Sequence, residues 1–79
     1  MMIAELDCIA LNVNLPEHGL AVDDVGAVVH VFEDGHAYMV EFTTYDGETV
    51  ALIKLFPDQI RKLARNEIHH ARPVELAAH

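Results

Sequence analysis

Two Asp-Gly pairs, at residues 34–35 and 46–47, separate runs of alternating apolar residues and constrain the fold of this chain more than any other feature. Asp-Gly is favoured where a tight turn between strands needs positive φ. Strands joined by such turns are antiparallel, so the middle of the chain predicts a three-stranded meander. We expect its strands at residues 26–32, 37–43 and 48–55.

An earlier run with the same two-residue period, residues 7–13, predicts a strand before the meander. It is joined to the meander by a long loop, residues 14–24. Pro16 and Gly19 within this loop break any regular strand pairing. A loop of this length in a small domain is either a packed connection or part of a functional site.

The pattern changes after the fourth strand. Pro57 followed by polar residues predicts one 3₁₀ turn. Residues 66–72 alternate and predict a fifth strand, although a helix over residues 58–71 also fits the apolar spacing and remains the alternative. Pro73 ends either element, and residues 74–79 are expected to fray.

These elements predict a mostly β fold, a small five-stranded antiparallel SH3-like barrel with a one-turn 3₁₀ helix before the last strand. A chain of 79 residues forms one small domain, expected over residues 1–73. The OB-type barrel is disfavoured, because it usually places a helix between its third and fourth strands. The turn at residues 46–47 leaves no room for that helix.

The charge is divided unevenly along the chain. Residues 1–60 carry eleven carboxylates and one cation, Lys54, whereas residues 61–79 carry four cations and two carboxylates. An acidic body repels phosphate, so it disfavours nucleic-acid binding and favours a basic protein partner. For the four cations we expect pairing with the chain's own acidic body rather than contact with nucleic acid; they are Arg61, Lys62, Arg65 and Arg72.

Cys8 is the only cysteine, so the chain has no intrachain disulfide, which is typical of a reducing compartment. The first seven residues carry acid where a signal peptide carries Lys or Arg, and no segment approaches the roughly 20 apolar residues that span a membrane. We therefore expect a cytoplasmic protein with no membrane association. Cys8 itself is predicted to be a buried, inert thiol.

No catalytic, metal or cofactor motif is found. The chain has six histidines, but His69 and His70 are adjacent and do not chelate one ion well on a strand or a helix. Cys8 and His30 could meet only in one strand register, and no metal-binding motif supports that pairing. Serine is absent, which excludes a serine nucleophile. We expect no enzyme activity, no cofactor and no metal.

Partner binding is the function that the loop suggests. Its acidic residues would attract a basic peptide or protein surface, provided that an apolar anchor lies exposed nearby. An open sheet edge and the apolar character of both faces of residues 27–32 also predict a homodimer. The expected contact residues are Glu17, His18, Leu20, Asp23, Asp24, Tyr45 and Phe56.

An ordered series of short segments carries a family resemblance: Leu15-Pro16-Glu17-His18-Gly19-Leu20, Asp24-Val25-Gly26-Ala27-Val28-Val29, Glu33-Asp34-Gly35, Val40-Glu41-Phe42 and Asp46-Gly47-Glu48-Thr49. Over residues 7–63 the chain resembles the domain of unknown function 4926 family of small bacterial proteins. The resemblance implies a mostly β domain, gene pairs of toxin–antitoxin style and no established catalytic residues.

Together these observations predict a non-enzymatic protein-interaction module of unknown biological role. The resemblance adds an antitoxin-like or accessory place in a bacterial gene pair. The alternative is a nucleic-acid or ribonucleoprotein-associated domain of the SH3-like KOW type, which rests on analogy of fold alone.

Overall fold

Five antiparallel strands form a single sheet in the computed structural model, which describes residues 2–76. The strands lie in the spatial order β4-β3-β2-β1-β5. The predicted mostly β, antiparallel architecture is therefore confirmed, and the described residues contain no α-helix. The strands are β1 (Cys8–Leu11), β2 (Val25–Phe32), β3 (Ala37–Thr43), β4 (Thr49–Leu55) and β5 (Ile60–Lys62).

Both Asp-Gly pairs form the tight turns that the sequence predicts. The β2–β3 turn has positive φ at Glu33, Asp34 and Gly35, and the β3–β4 turn has positive φ at Gly47. In the second turn the Gly47 amide donates to the Thr44 carbonyl oxygen at 3.0 Å. Strands β2, β3 and β4 consequently pair in sequence order, as an antiparallel meander.

The long loop between β1 and β2 has structure of its own. A 3₁₀ turn, Pro16–His18, lies within it and was not predicted. Gly19 follows in the left-handed conformation with φ of 71°. The amide of Leu15 donates to the carbonyl oxygen of Leu20 at 2.9 Å, and the reverse bond measures 3.1 Å. These two hydrogen bonds close the middle of the loop on itself, and Leu20 is buried where it closes.

The prediction of a fifth strand at residues 66–72 is wrong, and so is the alternative of a helix over residues 58–71. The fifth strand is Ile60–Lys62, which directly follows the predicted 3₁₀ turn, found at Pro57–Gln59. This strand pairs with β1, and Ile60 is 1% exposed in the core. Ile60 enters the core beside β1, whereas Ile68 is exposed, and residues 66–72 adopt no regular structure.

The core lies on one face of the sheet. Its largest fully buried side chains are Ile9, Leu11, Val28, Val40, Leu55 and Ile60. Gly26 lies where β2 approaches the inner side chains of β3, and a Cβ atom there would lie only 2.7 Å from Cγ1 of Val40. The chain can come this close only because Gly26 has no side chain.

No helix within residues 2–76 is long and apolar enough to cross a membrane. The chain after β5, residues 63–76, is called the tail below. Val74 and Leu76 in the tail are half-buried. The predicted fraying concerned residues 74–79, of which 77–79 lie outside the described residues.

Candidate binding groove

An open groove of about 650 Å³ lies between the long loop, the sheet and the tail, and is called the groove below. The sheet side is formed by the first residues of β2 together with the end of β3 and the β3–β4 turn. Residues 69–74 of the tail line the opposite side. The apolar part of the lining includes Leu20, Val25, Phe42 and Val50.

Arg72 fastens the tail to the long loop at this groove. Its Nε donates to Oδ1 of Asp24 at 2.8 Å, and its Nη2 donates to Oδ2 of the same carboxylate. Nη2 also donates to the carbonyl oxygen of Gly19 at 3.0 Å. A guanidinium that grips both oxygens of one carboxylate is the strong, directional form of an ion pair.

A backbone hydrogen bond positions the Asp24 carboxylate for this contact. The backbone amide of Ala21 donates to Oδ2 of Asp24 at 2.9 Å, and the carboxylate side chain is only 17% exposed. Partial burial by itself raises the pKa of Asp24, but the hydrogen bonds from Arg72 and Ala21 lower it below the ordinary value. Asp24 is therefore a fixed, ionised acceptor in the groove at neutral pH.

A second arginine attaches the start of the tail. Arg61 on β5 donates from Nη1 to Oε1 of Glu67 at 2.6 Å and from Nη2 to Oδ1 of Asp23 at 3.3 Å. The amide of Ala64 donates to the other oxygen of Glu67, and this bond, followed by the Arg61 contact, lowers the pKa of Glu67. Lys62 Nζ lies 3.3 Å from a carboxylate oxygen of Asp7. Within residues 2–76, Arg61, Lys62 and Arg72 therefore pair with carboxylates of the chain itself, as expected.

The structure brings three of the seven predicted contact residues into the groove: Leu20, Asp24 and Tyr45. Leu20 is only 5% exposed and belongs to the core, so it is not a surface anchor. Tyr45, at the β3–β4 turn, is fully exposed at the rim of the groove. Tyr45 is thus the aromatic residue of the predicted set that a partner in the groove can reach.

The other four predicted residues lie outside the groove lining. Glu17 and His18 are exposed in the 3₁₀ turn of the long loop, and Asp23 is paired with Arg61. Phe56 is 49% exposed next to Lys54, whose Nζ lies 5.9 Å from the ring centroid. These residues do not form one site with Tyr45.

The prediction that Cys8 is buried is wrong, because its side chain is exposed and lines the groove. Cys8 is the first residue of β1, and its side chain faces away from the core that Ile9 enters. His69 and His70 line the same groove, but no hydrogen bond joins either imidazole to the thiol. Within residues 2–76, no three His, Cys, Asp or Glu side chains are grouped to hold a metal ion.

Sequence reasoning missed Arg72 and the Gly19 carbonyl as parts of the site. The available signal was the charge asymmetry, an acidic body followed by a basic C-terminal segment. That asymmetry predicts pairing within the chain, but it does not indicate which arginine meets which carboxylate.

The fold and the groove define a small all-β domain with an acidic loop that is paired to its own tail. A family model with the description Domain of unknown function (DUF4926) matches residues 5–62. The match covers most of the chain, so the chain belongs to this family, and the resemblance seen in the sequence is confirmed. No curated protein and no solved structure matches the chain significantly. The matched residues contain all five strands and the long loop and end where the tail begins.

Proposed function

We propose that this chain is a non-enzymatic protein-interaction module and that it binds its partner in the groove. The observation that carries the proposal is the combination of an ionised, partly buried Asp24, an apolar lining and a fully exposed Tyr45 in one open site. Exposed aromatic residues next to apolar surface are typical of protein interfaces. A partly buried carboxylate adds directional hydrogen bonds and ion pairs, which an apolar surface cannot form.

A basic partner suits this surface best. The chain carries a net charge of −8, and Glu41 joins Asp24 among the groove residues. Such a field raises the association rate of a positively charged protein. We extend the family resemblance to an antitoxin-like or accessory role beside the product of a neighbouring bacterial gene, in the cytoplasm. That role is a proposal about biology and does not follow from the geometry of the groove.

We also propose that the fold is of the SH3-like type, although β4 and β5 do not pair and the sheet of residues 2–76 is not closed into a barrel. The strand order β4-β3-β2-β1-β5 and the 3₁₀ turn between β4 and β5 support this, because both fit a meander that folds back on its first strand. The close approach at Gly26 gives β2 room to bend over β3. In a fold of this type the long β1–β2 loop overhangs the side of the sheet, where the groove lies.

Nucleic-acid association has less support as a function. It needs cations that are free to displace counterions from phosphate, whereas Arg61 and Arg72 are engaged by carboxylates. Tight retention on immobilised nucleic acid that weakens steeply with salt would nevertheless favour it over the proposed function.

The experiment is affinity capture from the source cell with four baits: wild type, Asp24→Asn, Tyr45→Ala and Phe56→Ala. Asp24→Asn retains an oxygen for the Ala21 amide but lacks the charge, and Phe56→Ala removes an exposed aromatic ring outside the groove. We expect one stoichiometric protein with the wild type and Phe56→Ala, and at least about tenfold less of it with the two groove variants. Capture that is the same with all four baits would contradict binding in the groove.

The homodimer stays a prediction. No strand of residues 2–76 pairs with the outer edge of β4, which leaves that edge available to a second copy. Lys54 and the register shift near Thr43 act against edge pairing, since charges and bulges blunt an edge strand. Sedimentation velocity across a concentration series tests it, and a constant monomer mass would contradict it.

A further inference from the structure

We infer that the groove recognises an arginine in an extended segment of the partner, and that Arg72 occupies the binding position of that arginine until the partner displaces it. The inference rests on the proposed function, since it names what the groove binds and how access is controlled. The tail is thus a built-in competitor, fastened by Arg72 across the groove to Asp24.

The chemistry of the Arg72 contact is specific to a guanidinium. Besides the carbonyl oxygen of the neighbouring Pro73, Arg72 donates to three acceptors of the long loop: the two oxygens of Asp24 and the Gly19 carbonyl oxygen. The geometry of the two carboxylate oxygens matches a guanidinium fork, whereas a lysine ammonium would act only as a point charge. The groove therefore already contains a complete recognition position for one arginine side chain.

The residues that accept this arginine do not belong to the tail. The Ala21 amide donates to Asp24 and holds its carboxylate in place. Gly19, in the left-handed conformation, presents its carbonyl oxygen to Arg72. These residues all lie within residues 5–62, the part of the chain that the family model matches. The tail lies outside that range and covers a position formed by residues within it.

Apart from its arginine contacts, the tail is weakly attached. Residues 69–74 have no regular structure, Ile68 is 92% exposed, and His69, His70 and Ala71 are exposed. Val74 and Leu76 are half-buried, but residues 68–73 are all exposed, so only a small apolar contact is lost when the segment moves away. An extended peptide with its own arginine can exchange with it without disturbing the sheet.

The test uses an 11-residue peptide with the sequence of residues 66–76 as an arginine probe, added to ¹⁵N-labelled full-length chains. A tethered tail acts at an effective concentration on the order of millimolar, so it competes with a peptide of similar affinity. We expect chemical-shift changes in Arg72→Ala at Gly26, Phe42 and Thr44, with at least about tenfold weaker apparent binding to the wild type. The spectrum also reports whether each variant is folded.

Three controls make the result specific. A peptide with alanine in place of its arginine should not bind Arg72→Ala, and the double variant Asp24→Asn with Arg72→Ala should not bind the arginine peptide. Arg65→Ala, which removes an exposed cation of the same tail, should behave as wild type. The inference is overturned if Arg72→Ala binds neither peptide, binds both equally, or binds the arginine peptide no better than the wild type.

The outcomes also separate this inference from the proposed function. Loss of the captured partner in the groove variants, together with no peptide binding to Arg72→Ala, would keep the groove as an interface and remove arginine recognition. Peptide binding to Arg72→Ala without any effect of the groove variants on capture would keep the tail exchange and remove the groove as the partner's site.

Discussion

The sheet and the tail are held in place by different forces, although they belong to one short chain. In the sheet, Ile9, Leu11 and Val28 have no exposed surface, and their burial involves no charge that salt could screen or acid could neutralise. In the tail, Ile68 is almost fully exposed, and attachment depends on Arg61 and Arg72. Such partly exposed ion pairs contribute only about 0–1 kcal/mol each, and the bidentate Arg72–Asp24 pair lies at the upper end of this range. The tail can therefore leave the groove at a small cost while the sheet stays folded.

The strongest test of this comparison truncates one isoleucine to alanine in each of the two regions. Ile9→Ala leaves a cavity in the core and should lower the free energy of unfolding by about 2–5 kcal/mol. Ile68→Ala removes an exposed side chain and should change it by less than about 0.5 kcal/mol. Urea denaturation followed by circular dichroism measures both. Equal effects would contradict the assignment of stability to the sheet.

A second prediction concerns the close approach at Gly26. Gly26→Ala places a Cβ atom against Val40 and Phe42 and should cost about 1–3 kcal/mol of unfolding free energy. Because Val40→Ala removes the nearest atom, the cost of Gly26→Ala should be smaller in that background. A double-mutant cycle measures the coupling. Strictly additive effects would show that the contact with Val40 is not the cause.

A third prediction concerns the attachment of the tail. Arg72→Ala should lower the free energy of unfolding by no more than about 1 kcal/mol, because the pair is partly exposed. The same change should speed amide hydrogen exchange in residues 69–74 without affecting β1–β4. Arg65→Ala is the matched control and should leave exchange unchanged. Faster exchange in the sheet would mean that the tail stabilises the fold as a whole.

The smallest expected effect is that of acid on the tail. The pKa values of Asp24 and Glu67 lie below their ordinary values in the folded chain, so their ion pairs add stability above the ordinary value, 3.8 for Asp24. That contribution is lost as the pH falls through the folded pKa values, and protonation releases the tail. Amide shifts of residues 69–74, recorded from pH 6 to pH 2, should move before those of β2 and β3. If the amide shifts of the tail and of β2 and β3 changed at the same pH, the tail and the sheet would not be held independently.

Local patterns in the sequence predict the meander closely. Alternation and Asp-Gly turns are properties of neighbouring residues, so β3 was predicted at its observed bounds, and β2 and β4 to within one residue. The same alternation at residues 66–72 gave a strand that does not exist. Alternation alone does not make a strand, because the side chains of one face must also enter the core: Ile60 of β5 does so beside β1, whereas Ile68 stays exposed.

The candidate site was less predictable than the fold. The acidic loop and Tyr45 were found by residue type, but Leu20 turned out to be buried and Phe56 lies outside the groove. Arg72 was identified as a cation that pairs with the acidic body, without its role at the groove. Its contact with Asp24 joins residues 48 positions apart, and a sequence pattern does not specify a pairing at that distance.

The amino-acid sequence alone determined that this chain is mostly β, acidic over its body and basic towards its end, because periodicity, turn residues and charge are read directly from neighbouring residues. The tertiary structure decided which segment completes the sheet, whether the Cys8 side chain faces the core or solvent, and where the tail lies. Those outcomes depend on competition between distant segments for the same core volume and the same carboxylates. Such competition is resolved only when the whole chain is folded.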